Sequence, residues 1–122
     1  MNNSTLGVDI EEVQRFKKLV RNQRFLNRIF TKQEIVYCAS KKQKLQHFAV
    51  RFAAKEAVWK ALSEILKKQK TPLGHWDIGV KNDRSGKPAV VLPSRFKHLE
   101  KRIAISLSHT AHYAVAVALV RV

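Results

Sequence analysis

Asp9 stands between Val8 and Ile10 in Thr5–Ile10, an apolar stretch with one glycine that reads as a short strand. A carboxylate among apolar neighbours costs free energy unless it is paired, hydrogen-bonded or bound to a metal. Two readings are open. Asp9 caps a following helix whose first turn holds Glu11 and Glu12, where acidic residues are favoured, or it is a metal ligand at a strand end. Glu56 poses a similar choice. It lies with Arg51, Lys55 and Lys60 in Arg51–Leu62 (RFAAKEAVWKAL), where Phe52 and Trp59 interleave with the charges. Glu56 and Lys60 are four residues apart and share a helical face. They are either an exposed ion pair of about 0.3–0.5 kcal/mol or part of a lined pocket.

A third polar cluster, Ser106-Leu107-Ser108-His109-Thr110, ends an alternating segment. Strand ends that run into tight turns often present side chains to ligands, although a lone histidine there also serves structure. The chain has no glycine-rich phosphate loop, no Cys/His zinc spacing and no serine-hydrolase elbow. Anion binding therefore falls to lysines and arginines. Two carboxylates completed by water and phosphate oxygens suit magnesium, which prefers oxygen and keeps few protein ligands.

These residues need elements to hold them. Glu11–Val20 carries Val13, Phe16, Leu19 and Val20 as a helical stripe. Phe25, Leu26, Ile29 and Phe30 form the apolar side of the next segment, and Thr31 with Glu34 is a capping box that starts a helix. Ser40–Gln46 is polar and basic, a loop or helix entry. Phe48 to about Leu66 is the strongest helical pattern, with alanines that favour helix and close packing. Lys67–Gly74 ends it. Trp76–Lys81 and Lys87–Leu92 read as two strands joined by the Asn82–Gly86 turn. Ser94–Lys101 suits a short helix. Arg102–Ser108 and the apolar Tyr113–Val120 are strands, joined by His109–His112. The pattern predicts a single α+β domain over residues 1–122, with helices packed on a mostly antiparallel sheet.

Lys and Arg number 24 against 9 acidic residues, a net charge of +15. Such a field draws polyanions, whether nucleic acid, anionic membrane, phosphorylated ligands or an acidic protein. No apolar run is long enough for a transmembrane helix, and Met1–Thr5 lacks the basic start of a secretory signal. The single cysteine, Cys38, fits a reducing, cytoplasmic setting. A core in 122 residues is modest, which favours oligomerisation.

Together GVDIEEVQRF (Gly7–Phe16), FTKQE (Phe30–Glu34), RFAAKEAVWKAL, SGKPAVVL (Ser85–Leu92) and ISLSHT (Ile105–Thr110) resemble the holo-acyl-carrier-protein synthases, small bacterial 4′-phosphopantetheinyl transferases. Their order and spacing run nearly the whole chain. The family pairs an aspartate in G-x-D-I-x-x-x-x-R with a glutamate in F-x-x-K-E-x-x-x-K, and both are present. The resemblance implies the 4′-phosphopantetheinyl transferase fold and transfer of the arm of coenzyme A to a serine of apo acyl carrier protein, in support of fatty acid biosynthesis. Asp9 and Glu56 then resemble the Mg2+ ligands, and Glu56 and Lys60 the catalytic pair. Lys41, Lys42, Lys44, Arg51, Lys60, Lys87, Pro88, Ser108 and His109 resemble coenzyme A contacts. Arg15, Arg21, Arg24 and Arg28 resemble the surface that receives the acidic carrier. A homotrimer with a shared site is implied as well. Ser63–Lys70 departs from the family by being a longer, charged helix end, and Gln43 stands among the lysines.

The rival class is a small basic nucleic-acid-binding protein. Charge permits it, but no RNP-like aromatic strand is present, and the two carboxylates would have no task. The expectation is therefore a transferase acting without nucleic acid or membrane.

Overall fold

The structure is a computed structural model, and it describes residues 3–67 and 72–122. Residues 68–71, inside the predicted Lys67–Gly74 helix end, lie outside the described part, as do the first two residues of the predicted polar N-terminus. Strand β1 (Ser4–Glu12) leads through a 3-10 turn (Val13–Arg15) into α1 (Phe16–Leu19), α2 (Gln23–Ile29), α3 (Lys32–Ala39) and the long α4 (Lys44–Ile65). Strands β2 (Gly79–Asn82) and β3 (Pro88–Val91) follow. A 3-10 segment (Ser94–Arg102) then precedes β4 (Ile103–His109) and β5 (Tyr113–Arg121).

Two antiparallel sheets result. One has the order β1-β5-β4, and the other is the β2-β3 hairpin. Helix α4 lies across the inner face of the larger sheet. Ala53, Ala54, Ala57 and Ala61 on the helix and Ala116, Ala118 and Val120 on β5 share one core cluster, all fully buried. Small residues on both sides bring helix and sheet close together. The tightest point is Gly7, where a Cβ would overlap the main-chain carbonyl of Ala57, so only glycine fits.

The α+β expectation holds. Some boundaries differ, and the differences matter for the site. The Glu11–Val20 helix is replaced at its start by continued strand, because Glu11 and Glu12 pair with Ala114 and Tyr113 of β5. Asp9 is therefore no helix cap; it sits inside β1 opposite Ala116. The two glutamates look like a helical first turn locally, but the ladder partner decides. Helix α4 begins at Lys44 rather than Phe48. Trp76 belongs to a 3-10 turn, His75–Asp77, so β2 starts only at Gly79. The short helix after Pro93 is 3-10 throughout.

The capping box forms as predicted. Thr31 Oγ1 accepts from the Glu34 amide at 3.1 Å, and the Glu34 carboxylate accepts from the Thr31 amide at 2.8 Å. The hairpin turn also forms, with Gly86 at φ +86°. Asp83 Oδ1 there accepts from the Ser85 hydroxyl and from the Ser85 and Lys87 amides. The Ser85 hydroxyl and the Lys87 amide hold the Asp83 carboxyl below the usual carboxylate range.

Among the described residues nothing covers the outer face of the large sheet. Leu6, Val8 and Ile10 of β1 and Tyr113, Val117 and Leu119 of β5 are all exposed. The near-continuous apolar run of β5 thus divides by pleat, alternate residues entering the core and the rest facing out.

Candidate active site

Strand β1 and helix α4 bring the two predicted metal ligands to one place. Gly7, Asp9 and Glu11 alternate on the inner face of β1, and the Gly7–Ala57 contact sets the strand against the helix next to Glu56. The carboxylates of Asp9 and Glu56 both act on Glu11, whose carboxyl is pushed up to about 7. Burial is the main cause, followed by the neighbouring Asp9 carboxylate; Arg15 pulls the other way, and Glu56 adds to the rise. Neighbouring carboxylates repel one another unless a cation or a proton intervenes.

Asp9 Oδ2 is buried without a hydrogen-bond partner, while Oδ1 faces Lys60 Nζ at 3.6 Å. Lys60 also donates to the Val8 carbonyl at 3.0 Å, which fixes the ammonium beside the aspartate. An orphaned carboxylate oxygen beside a second carboxylate is what a hard cation with oxygen ligands requires. Two carboxylates fit Mg2+, which keeps few protein ligands; among the described residues no group of three or more acidic, His or Cys side chains could hold a metal ion.

The exposed Glu56–Lys60 ion pair does not form. Lys60 turns to β1, and Glu56 meets His75, whose Nε2 lies 2.5 Å from Glu56 Oε1. That contact is close but not aligned as a hydrogen bond, so Nε2 remains without a partner. The imidazole stacks on Trp59, with ring centroids 5.2 Å apart and an interplanar angle of 17°. His75 was not among the expected site residues. It precedes the hairpin by a few residues and is nearly twenty positions from Glu56, so no local pattern signals the contact.

Beneath the site is a buried polar layer. Lys55 is fully buried and lies 2.7 Å from Glu34. Lys55 also donates to the Ile78 carbonyl, and Glu34 accepts from the Val80 amide at 2.7 Å. Burial lowers the Lys55 ammonium below the usual lysine range, and Glu34 opposes that. Arg51, also buried, donates to the Val80 carbonyl and to Asn82 Oδ1. These bonds tie α4 and α3 to β2. Cys38 is buried close by, and burial pushes its thiol up to about 12.

The predicted anion-binding residues fall in two groups. Lys41 and Lys42, in the turn before α4, and Lys44, its first residue, are exposed. The Lys41 ammonium sits 4.6 Å from the Tyr37 ring centroid, and the Arg51 guanidinium is 4.7 Å from the same ring. Ser108 and His109, at the exposed end of β4, approach this group, with His109 6.0 Å from His47 on α4. Lys87 and Pro88 form the other group, at the hairpin turn. Among the described residues no hydrogen bond or ion pair joins that turn to the Asp9–Glu56 cluster.

The four predicted docking arginines do not share one helical face. The chain bends at Asn22, whose side chain caps α2 by accepting from the Phe25 amide at 3.1 Å. Arg24 and Arg28 lie together on α2, and Arg21 is in the connection before it. Arg15 instead pairs with Glu11 at 2.5 Å and lies over the Phe16 and Phe52 rings. All four are exposed.

The family model of the 4′-phosphopantetheinyl transferase superfamily matches residues 5–118. A holo-[acyl-carrier-protein] synthase from Protochlamydia amoebophila (strain UWE25) is 42% identical over 120 residues, covering 93% of this chain and 96% of that protein. A holo-[acyl-carrier-protein] synthase from Geobacter sp. (strain M21) is 44% identical over 117 residues, covering 90% and 91%. Among solved structures, the Chronobacterium ammoniagenes ACPS–CoA complex superposes with a TM-score of 0.77 at 29% identity, covering 98% of this chain and 97% of that one. A Bacillus anthracis holo-(acyl-carrier-protein) synthase in complex with CoA (3′,5′-ADP) gives 0.73 at 30% identity, covering 96% and 95%. With the paired carboxylates of β1 and α4 in place, the chain belongs to the holo-[acyl-carrier-protein] synthases of the 4′-phosphopantetheinyl transferase superfamily.

Proposed function

We propose that this chain transfers the 4′-phosphopantetheine arm of coenzyme A to a serine of apo acyl carrier protein, releasing adenosine 3′,5′-bisphosphate, and thereby supports fatty acid biosynthesis. The observation that carries the reading is the unpartnered, buried Asp9 Oδ2 in a cluster with Glu56, inside a fold shared with synthases solved with coenzyme A.

Asp9 and Glu56 would hold Mg2+. When bound, that ion neutralises the charge of the diphosphate and of the departing phosphate, the main contribution in phosphoryl transfer. Lys60, held by Asp9 and the Val8 carbonyl, sets a further positive charge at the same point. The carrier serine oxygen attacks the β-phosphorus, the phosphorus–oxygen bond to the leaving bisphosphate breaks, and the serine proton passes through water to Glu56.

Arg51 with Lys41, Lys42 and Lys44 holds the phosphates at the ribose end of coenzyme A, with Ser108 and His109 beside them. Lys87 and Pro88 line the nucleotide. Arg15, Arg21, Arg24 and Arg28 receive the acidic carrier, and the charge of +15 serves that encounter rather than nucleic acid or membrane. Among the described residues no helix is long and apolar enough to cross a membrane, and we place the enzyme in the cytoplasm. The uncovered apolar face of the large sheet supports a homotrimer in which neighbouring subunits complete each site.

Incubation with coenzyme A, magnesium and apo carrier protein tests the reading. Mass spectrometry is expected to find the arm on the carrier serine, and an unmodified carrier would overturn it.

A further inference from the structure

His47 belongs to none of the motifs that identify the family. It lies on α4 one helical turn before Arg51 and is half-buried. Its ring is 5.9 Å from Tyr37 of α3 and 6.0 Å from His109 at the end of β4. Tyr37 in turn has the Lys41 ammonium and the Arg51 guanidinium near its ring and accepts from Asn82 Nδ2 at 3.0 Å through its hydroxyl. The charged and titratable groups around His47 are thus Tyr37 on α3, Lys41 in the turn after it, Arg51 on its own helix and His109 on β4.

Among the described residues no hydrogen bond or ion pair joins a carboxylate to His47. Burial, then the positive neighbours His109, Lys41 and Arg51, holds the imidazole below the usual histidine range. The nearest buried acid, Glu34, is already engaged with Lys55 and two backbone amides. Two imidazoles, an ammonium and a guanidinium therefore gather around Tyr37 and His47, and among the described residues no ion pair gives them a counter-charge. An arrangement of that kind is unfavourable empty and favourable around a dianion, because an incoming anion stabilises every charge in it.

We propose that His47 joins His109 in seating the ribose phosphate monoester of coenzyme A, and that binding this phosphate takes up a proton onto His47. The inference rests on the coenzyme A reading and adds to it a residue and a proton. His47 contributes little charge to the free enzyme at neutral pH. The phosphate dianion reverses the balance by favouring the imidazolium, which then donates to a phosphate oxygen. The sign follows: the bound state carries more protons, so coenzyme A affinity falls as pH rises between the His47 pKa of the free enzyme, below 6.5, and its higher value in the complex. A rise of about one unit on binding corresponds to about a tenfold loss of affinity across that window.

Calorimetry at about pH 7, in two buffers of different ionisation heat, counts the protons taken up. At that pH a phosphate monoester, with a second pKa of about 6, is mostly dianionic already. The ligands are coenzyme A and 3′-dephospho-coenzyme A; the proteins are wild type, His47→Phe and His47→Gln. Phenylalanine keeps the ring packing against Tyr37, and glutamine keeps a polar group should the larger change disturb folding. Wild type is expected to take up protons with coenzyme A and not with the dephospho form. Either variant is expected to lose that uptake and to bind coenzyme A with a flatter pH dependence. Equal uptake in wild type and variants overturns the inference. So does equal affinity for the two ligands, which places the phosphate elsewhere while leaving the transfer reading intact. Failure of the wild type to bind coenzyme A at all overturns the reading itself, and the inference with it.

Discussion

Lys55 and Glu34 face each other at 2.7 Å with side chains 0% and 4% exposed. The pair joins the centre of α4 to the first turn of α3, and both partners also bond the backbone of the segment leading into β2. Removing one partner leaves the other as an uncompensated buried charge, which costs about 3–5 kcal/mol. Lys55→Met is therefore expected to lose stability on that scale in urea unfolding, with Glu34→Gln similar. The double variant should recover much of the loss, because the stranded charge is gone.

Gly7 meets the Ala57 carbonyl so closely that a methyl group cannot be accommodated. Gly7→Ala must push β1 away from α4. Overpacking of this kind costs about 1–3 kcal/mol, and here it also separates Asp9 from Glu56. The expected result is a loss of transfer larger than the loss of stability, seen by comparing kcat with the unfolding midpoint at saturating coenzyme A.

Asp9 Oδ2 has no hydrogen-bond partner among the described residues, and Asp9 and Glu56 are the two carboxylates proposed to hold the cation. Asp9→Asn and Glu56→Gln should fold normally and bind Mn2+, used as a paramagnetic substitute, at least tenfold more weakly in water-relaxation titrations. Unchanged Mn2+ affinity in both variants would count against the assignment.

Arg15 is half-exposed, lies over two phenylalanine rings and pairs with Glu11. Arg24 projects from α2 past the bend at Asn22. Arg15→Glu and Arg24→Glu are expected to raise the KM for the carrier several-fold and weaken its salt dependence, with the KM for coenzyme A nearly unchanged. Steady-state kinetics with each substrate varied in turn separates the two. Arg15 should show the larger effect, because its ring contacts and ion pair hold it in place.

Val8 and Ile10 are 58% and 64% exposed on the outer face of β1. Their burial between subunits is the simplest account of an apolar sheet face in a strongly charged protein. Val8→Lys and Ile10→Lys are expected to shift light scattering from trimer to monomer at micromolar concentration. A wild-type protein that is monomeric and fully active would remove the shared-site proposal.

Local chemistry made several elements legible in advance. The Thr31–Glu34 box, the alanine-rich helix and the Asn82–Gly86 turn each depend on residues within a few positions of one another, and each forms. Resemblance across five short stretches is what pairs Asp9 with Glu56 in the sequence. What sequence could not show was partnership at a distance. Glu11 and Glu12 look like a helix start until β5 is placed beside them. Glu56 and Lys60 look like partners until His75 and β1 offer each a closer contact. The bend at Asn22 carries its own signal, a side-chain cap.

The Gly7–Ala57 contact also bears on how accurately the two carboxylates are placed. Asp9 is two residues from the point of contact on one side, and Glu56 is one residue from it on the other. The route from one acid to the other therefore crosses very few rotatable bonds, and nearly all of them lie within a strand ladder or a helix. Errors in position accumulate along a chain of joints, and this chain is short and stiff. Loops elsewhere can lengthen, and the basic surface can change, without loosening the spacing between the two acids. An absent side chain acts as the reference surface from which the centre is aligned.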